Sequence, residues 1–260
     1  MNNSPIGVFD SGVGGLTVAR EIMRELPDES IVYFGDTARV PYGSKSRETV
    51  TTFSKQIIRF LKTKDVKAIV IACNTASAFA LHEVAKDADI PIIGVIEPGA
   101  RTANNVTENG RVGIIATEGT VRSGTYEKVL KKINPNLKVF LKACPLFVPL
   151  VEEGWRYDSV TYEVADRYLN DIMTYDIDTL VLGCTHYPLI RRTIQKVVGD
   201  GVTLVNPAYE TAKELGRVLD ENNLRAEGAV PVYRFFVSDS VKKFSNFAES
   251  ILPCDVGHVE

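Results

Sequence analysis

Short apolar runs bounded by turn residues alternate with longer stretches of helical period along this chain. The runs predict strands at 6–10, 31–34, 68–72, 91–94, 112–116, 137–141, 179–182, 202–205 and 233–237. Helical patterns fill most of the gaps, for example 16–26, 47–64, 76–88, 121–133, 160–174, 190–198 and 208–221. The strand-like runs show no clean period-two alternation. Strands of that kind, joined by helices, predict an α/β protein with mainly parallel sheets covered by helices on both faces.

The pattern then repeats. Ala68-Ile69-Val70-Ile71-Ala72-Cys73-Asn74-Thr75 and Thr179-Leu180-Val181-Leu182-Gly183-Cys184-Thr185-His186 are both apolar runs that end at a cysteine. Gly7-Val8-Phe9-Asp10-Ser11 resembles Gly113-Ile114-Ile115-Ala116-Thr117 at an offset of 106 (113 − 7), and the cysteines lie 111 apart (184 − 73). Glu97-Pro98 resembles Asn206-Pro207 at an offset of 109 (206 − 97), both reading as helix starts. Repeated strand–helix arrays share some of this grammar by default, but the matched cysteines predict two pseudo-symmetric α/β domains. The expected division is residues 1–98 plus 208–260 for the first domain and 99–207 for the second, with the active site in the cleft between them. The polar stretch 101–110 is expected to connect the halves. The last strand and helix have no earlier counterpart and are expected to return to the first half.

Composition narrows the function. Of 260 residues 45% are hydrophobic and 24% charged, the formal charge is −3, and no basic block is present. Nucleic acid and anionic membrane are therefore not expected as primary partners. The first residues lack a basic-then-apolar leader pattern, and no apolar run reaches the length of a membrane span. Four cysteines do not make a disulfide framework in a chain of this length. A reduced, cytoplasmic setting is expected, in which free thiols can be working residues.

Ligands of parallel α/β sheets bind outside the carboxyl ends of the strands, where Cys73 is placed. The N–H groups of Asn74, Thr75 and Ala76 would open the next helix, offering a carboxylate site and lowering a thiol's pKa. A single such cysteine reads first as a small buried hydrophobe. Cys184 repeats the placement with Thr185 and His186, and His186 could hold it as a thiolate or pass it protons. Asp10-Ser11 ends the first strand before Gly12, Gly14 and Gly15, which let backbone approach a ligand closely. The glycine spacing is not the dinucleotide fingerprint. Asp10 could orient a cysteine proton, grip an ammonium, or simply cap a turn. Tyr42 and Gly43 lie in a loop suited to cover a substrate. Glu152 and Glu153 follow an apolar run, whereas Cys144 and Cys254 lack strand-end geometry and read as structural. Two thiols from opposite halves fit inversion of a stereocentre with an acidic hydrogen, one acting as base and the other as acid. A redox disulfide and a Cys/His metal site remain alternatives, although neither His82 nor His258 completes a ligand set.

Asp10-Ser11-Gly12-Val13-Gly14-Gly15-Leu16, Pro41-Tyr42-Gly43, Ala72-Cys73-Asn74-Thr75-Ala76 and Gly183-Cys184-Thr185-His186-Tyr187-Pro188 together resemble the glutamate racemases, in the right order over nearly the whole chain. The resemblance implies a cofactor-independent, metal-free homodimer that interconverts L- and D-glutamate and supplies D-glutamate for peptidoglycan. It implies that Cys73 acts on the D-enantiomer and Cys184 on the L-enantiomer, assisted by Asp10 and His186, with Glu152 a further acidic site position. Asp10, Ser11, Tyr42, Gly43, Asn74, Thr75, Thr185 and His186 match substrate contacts, and Thr117 and Thr120 occupy the counterpart of the Ser11 loop. The α-carboxylate is expected on helix N-termini beside Asn74, Thr75 and Thr185. Asn206 stands where the family more often has Asp and is read as a helix cap. Two rivals remain: an aspartate or hydantoin racemase, in whose aspartate-specific relatives an acid tends to replace His186, and a non-catalytic binding protein for acidic amino acids.

Overall fold

The computed structural model describes residues 2–260; Met1, where the expected first domain begins, lies outside the described residues. Among these, nine strands form: β1 (Ile6–Asp10), β2 (Ile31–Gly35), β3 (Ala68–Ile71), β4 (Ile92–Gly94), β5 (Arg111–Ala116), β6 (Lys138–Ala143), β7 (Thr179–Gly183), β8 (Thr203–Val205) and β9 (Tyr233–Val237). Every ladder is parallel, in two sheets ordered β4-β3-β1-β2-β9 and β6-β5-β7-β8. Reversed, the second order is β8-β7-β5-β6, which matches β4-β3-β1-β2 strand for strand. The repeat in the sequence is thus a repeat of topology, and β9 is the one addition, paired with β2 in the first sheet.

β1, β3 and β7 are buried at every position. A strand covered on both faces has no solvent side, which is why these segments read as continuous apolar runs. Two long helices, Ile96–Val106 and Pro207–Glu221, lie where the chain crosses between the halves. They meet closely: a Cβ on Gly99 would stand 2.9 Å from Pro207 Cγ. Asn206 caps the second of them, its side chain accepting from Ala208 N at 3.1 Å. Among the described residues no helix is long and apolar enough to cross a membrane.

The stretch 101–110 does run from the first sheet to the second, and as far as Val106 it continues the helix begun at Ile96. Its polar residues form the solvent side, while Ala100 and Ala103 on the other side are fully buried. One expectation about elements needs correction. The single helix expected at 121–133 is two, Glu118–Ser123 and Thr125–Ile133, divided at Gly124 with φ +65°. That left-handed backbone is open to glycine and ends the first helix there.

Candidate active site

The carboxyl ends of β1, β3, β5 and β7 converge between the halves. Ser11 follows β1. Cys73 follows β3 by one residue and N-caps helix Asn74–Ala85. Thr117 follows β5 and caps helix Glu118–Ser123, accepting from Thr120 N at 3.4 Å. Cys184 directly follows β7. Both thiols line one small cavity, with a volume of about 20 Å³. The first half contributes Ser11, Val40, Pro41, Tyr42, Gly43, Cys73, Asn74 and Thr75, and the second contributes Thr117, Val148, Cys184, Thr185 and His186. Such a space has room for about one water, less than an amino acid needs.

On the first side, Cys73 Sγ lies 3.7 Å from Ser11 Oγ. Burial pushes the Cys73 thiol up to about 12, reinforced by the negative charge of Asp10 and only partly opposed by the Ala76 N–H and Ser11. Asp10 is fully buried. Its carboxylate accepts from Gly12 N at 2.9 Å and from Thr185 Oγ1 at 3.4 Å, across the halves. Burial raises the Asp10 pKa in spite of these partners and the charge of His186. Tyr126, from the second half, donates to Asn74 Oδ1 at 2.7 Å. Thr75 Oγ1 sits 2.9 Å from Thr117 Oγ1 and 3.1 Å from Thr120 Oγ1, so three hydroxyls join the halves.

The second side has different chemistry. Cys184 Sγ lies 3.8 Å from His186 Nδ1, and His186 Nε2 lies 3.1 Å from Glu152 Oε1. Burial works against charge on His186, but its hydrogen bonds to Cys184 and Glu152 outweigh that and bring it up to about 10. Burial likewise works against charge on Glu152, yet His186 and then Lys243 hold its carboxyl below the usual range. The backbone also departs from the repeat. Cys184 is followed by a 3-10 turn, Tyr187–Ile190, before helix Arg191–Val198. Of the two thiols only Cys73 therefore stands at an α-helix N-terminus, and the expected second helix cradle at Thr185 is absent because Pro188 sits in a tighter turn.

Asp10, Thr120 and Glu152 stand behind the cavity wall, each hydrogen-bonded to a residue that lines it. Tyr42 lines the cavity but donates its hydroxyl to Asp36, which leaves its ring and backbone for any ligand. Two of the glycines take a close approach from the opposite half. A Cβ on Gly14 would stand 2.4 Å from Thr185 Oγ1 and 2.5 Å from His186 Nδ1, so it is the opposite half that approaches. Gly43 is pressed against Thr117 in the same way, at 2.6 Å. Cys144 does have a strand end, directly after β6, but it is fully buried outside the cavity. Sequence patterning missed Val148, Tyr126 and Lys243. Val148 lay in an apolar run, and the other two meet their partners 52 and 91 residues away. All four cysteines are free thiols, and among the described residues no three His, Cys, Asp or Glu side chains group to hold a metal.

A family model described as Asp/Glu/Hydantoin racemase matches residues 6–215. A glutamate racemase of Geobacter metallireducens is 51% identical over 255 residues, covering 98% of this chain and 94% of that protein. The crystal structure of a glutamate racemase isoform from Bacillus anthracis matches with a TM-score of 0.97 at 45% identity, covering 100% of this chain and 97% of that one. A glutamate racemase from Francisella tularensis, solved in complex with D-glutamate, matches with a TM-score of 0.93 at 43% identity and covers 100% of this chain and 97% of that one.

Proposed function

This chain belongs to the Asp/Glu/Hydantoin racemase family, and from that membership we propose that it interconverts L- and D-glutamate by proton transfer between two thiols. It is an amino-acid racemase. The observation that carries the mechanism is the presence of Cys73 and Cys184 on one cavity, each contributed by a different half. In the L-to-D direction Cys184, as thiolate, takes the Cα hydrogen, and the electron pair spreads into the α-carboxylate. Cys73 then gives its thiol proton to the opposite face of Cα. With its pKa pushed up to about 12, Cys73 is protonated at neutral pH and ready for that role. In the D-to-L direction Cys73 is the base, and we read buried Asp10, whose charge acts on Cys73, as the group that assists it. His186, carrying a proton up to about pH 10, supports negative charge on Cys184.

The N–H groups opening helix Asn74–Ala85 are suited to the α-carboxylate as charge builds on it. Ser11, Tyr42, Gly43, Asn74, Thr75, Thr117, Thr185 and His186 supply the remaining contacts, with Asp10 and Thr120 behind them. Closure to so small a volume excludes water while the weakly acidic hydrogen moves. The scheme needs no cofactor. We read residues 1–98 with 208–260 as one domain and 99–207 as the other. We read the enzyme as a cytoplasmic homodimer that supplies D-glutamate for peptidoglycan. In deuterium oxide the reduced wild type should place deuterium at Cα of either enantiomer while optical activity decays, and Cys73→Ala and Cys184→Ala should each slow the decay by about 10³-fold. A wild type that exchanges nothing overturns the racemase reading and leaves a binding protein.

A further inference from the structure

Three contacts lead outward from Cys184: Sγ to His186 Nδ1 at 3.8 Å, Nε2 to Glu152 Oε1 at 3.1 Å, and Oε2 to Lys243 Nζ at 3.3 Å. Exposure rises along the row, with side-chain values of 3% for His186, 16% for Glu152 and 55% for Lys243. The last member also comes from elsewhere. Cys184, His186 and Glu152 belong to the second half, whereas Lys243 lies on helix Val241–Glu249, which follows β9 on the first sheet. Phe244 of that helix is fully buried, its ring centroid 5.7 Å from that of Tyr33 and 6.1 Å from that of Phe235. The first-half core thus fixes where Lys243 stands. The second half meets the same helix again through Arg156, which donates to Ser250 Oγ at 3.2 Å and lies 5.3 Å over the Phe247 ring.

We propose that Lys243 is a positioning residue for the Cys184 side of the reaction: by occupying one oxygen of Glu152 it keeps the other on His186 Nε2, and it does so only while the two halves are closed. The proposal rests on the racemase reading above. A carboxylate held through one oxygen can rotate away from its partner, and a second charged contact removes that freedom. Because the contact spans the halves, it is lost whenever they part to admit substrate and is remade on closure. Alignment of the Cys184–His186 pair is thereby tied to enclosure of the substrate. Lys243 lines no part of the cavity and touches neither thiol. It should therefore act on the proton-transfer step and not on binding.

The test compares wild type, Lys243→Met, Lys243→Arg, Glu152→Gln and the Glu152→Gln/Lys243→Met pair. The two enantiomers are equal in free energy, so kcat/KM must fall equally in both directions for any variant. Direction is read instead from isotope effects on substrates deuterated at Cα. A half-exposed ion pair should be worth about three- to fivefold in kcat on Lys243→Met. KM should stay within about twofold, the sign of a transition-state effect. The isotope effect should rise for deuterated L-glutamate, as removal by Cys184 becomes more limiting, and fall for deuterated D-glutamate. Lys243→Arg should restore wild-type behaviour, and Lys243→Met should add nothing in the Glu152→Gln background. Unchanged isotope effects, or losses that multiply in the double variant, overturn the proposal. A wild type that racemises glutamate alongside an indistinguishable Lys243→Met defeats this proposal alone, whereas an inert wild type defeats the racemase reading beneath it.

Discussion

Cys73 and Cys184 occupy equivalent places in a repeated topology, yet their surroundings differ in kind. Cys73 caps an α-helix and faces a serine hydroxyl, with a buried carboxylate that makes its ionisation harder. Cys184 precedes a 3-10 turn and faces an imidazole that Cys184 itself and Glu152 keep charged. The repeat preserved where the reacting groups stand and let the means of tuning them diverge. A reaction with isoenergetic ends does not require matched acids and bases. It requires only that each thiol can hold or release a proton when the substrate arrives.

The strongest way to break this comparison is to remove one thiol at a time. Cys73→Ala and Cys184→Ala should each lower racemisation by about 10³-fold, within the range of a general acid–base group. Their residual chemistry should differ. With Cys184 alone, the slow Cα exchange that remains should be confined to L-glutamate, and with Cys73 alone to D-glutamate, followed by proton NMR in deuterium oxide. The same enantiomer exchanging in both variants would contradict an assignment of one thiol to each face.

A milder perturbation acts on one side only. Gly14→Ala places a methyl group 2.4 Å from Thr185 Oγ1 and 2.5 Å from His186 Nδ1. The second side must then give way, and a displacement near 1 Å should cost about 10²-fold in kcat. Gly119→Ala presses instead on Gly43 O at 2.8 Å, in the covering loop. It should chiefly raise KM, by about tenfold if the loop gives up one good hydrogen bond to substrate. Equal kcat and KM effects from both substitutions would erase the distinction between the sides.

Legibility in the sequence follows the range of the forces involved. Strands expected at 6–10 and 233–237 coincide with β1 and β9, because a buried apolar run ending at Asp10 and an aromatic-rich, half-buried one ending at Val237 carry their own boundaries. The strand-end thiols were visible for the same reason, each closing an apolar run. The division at Gly124 was hidden because glycine is tolerated inside a helical pattern until its φ is known. The turn after Cys184 was hidden because Pro188 opens an α-helix or a 3-10 turn equally well. Tyr126 and Lys243 carry no local signal at all. Their meaning lies in partners 52 and 91 residues away, set by how the halves face each other.

The two sides should also separate by pH. His186 is raised to about 10, so folding binds a proton that an unfolded histidine loses near 6.5. Its contribution to stability is fully present below pH 6.5 and is lost as pH rises toward 10. Cys73 is raised from 9.0 to about 12, so its contribution is lost between those values. Unfolding free energies of wild type and His186→Gln, measured by denaturant titration, should converge across the lower window by up to about 1.4 kcal/mol per pH unit. Wild type against Cys73→Ala should change only in the upper window. Convergence of both pairs in one window would mean that the sides titrate together.

The smallest effect tests whether the first side, too, is braced from across the cleft. Tyr126 belongs to the second half and gives its hydroxyl proton to Asn74 Oδ1 at 2.7 Å, beside Cys73. Tyr126→Phe keeps the fully buried ring and removes one hydrogen bond, leaving the Asn74 oxygen without that donor at a cost of about 1–2 kcal/mol. Asn74 is a proposed substrate contact and touches no reacting hydrogen, so the loss should appear as a KM about threefold higher with kcat nearly unchanged. Lys243→Met should do the opposite, lowering kcat at constant KM. The pair of measurements separates a brace that shapes the binding surface from a brace that aligns an acid–base group. If Tyr126→Phe lowers stability but leaves KM untouched, Asn74 serves the closed interface and not the substrate, and the bracing of the two sides is asymmetric as well.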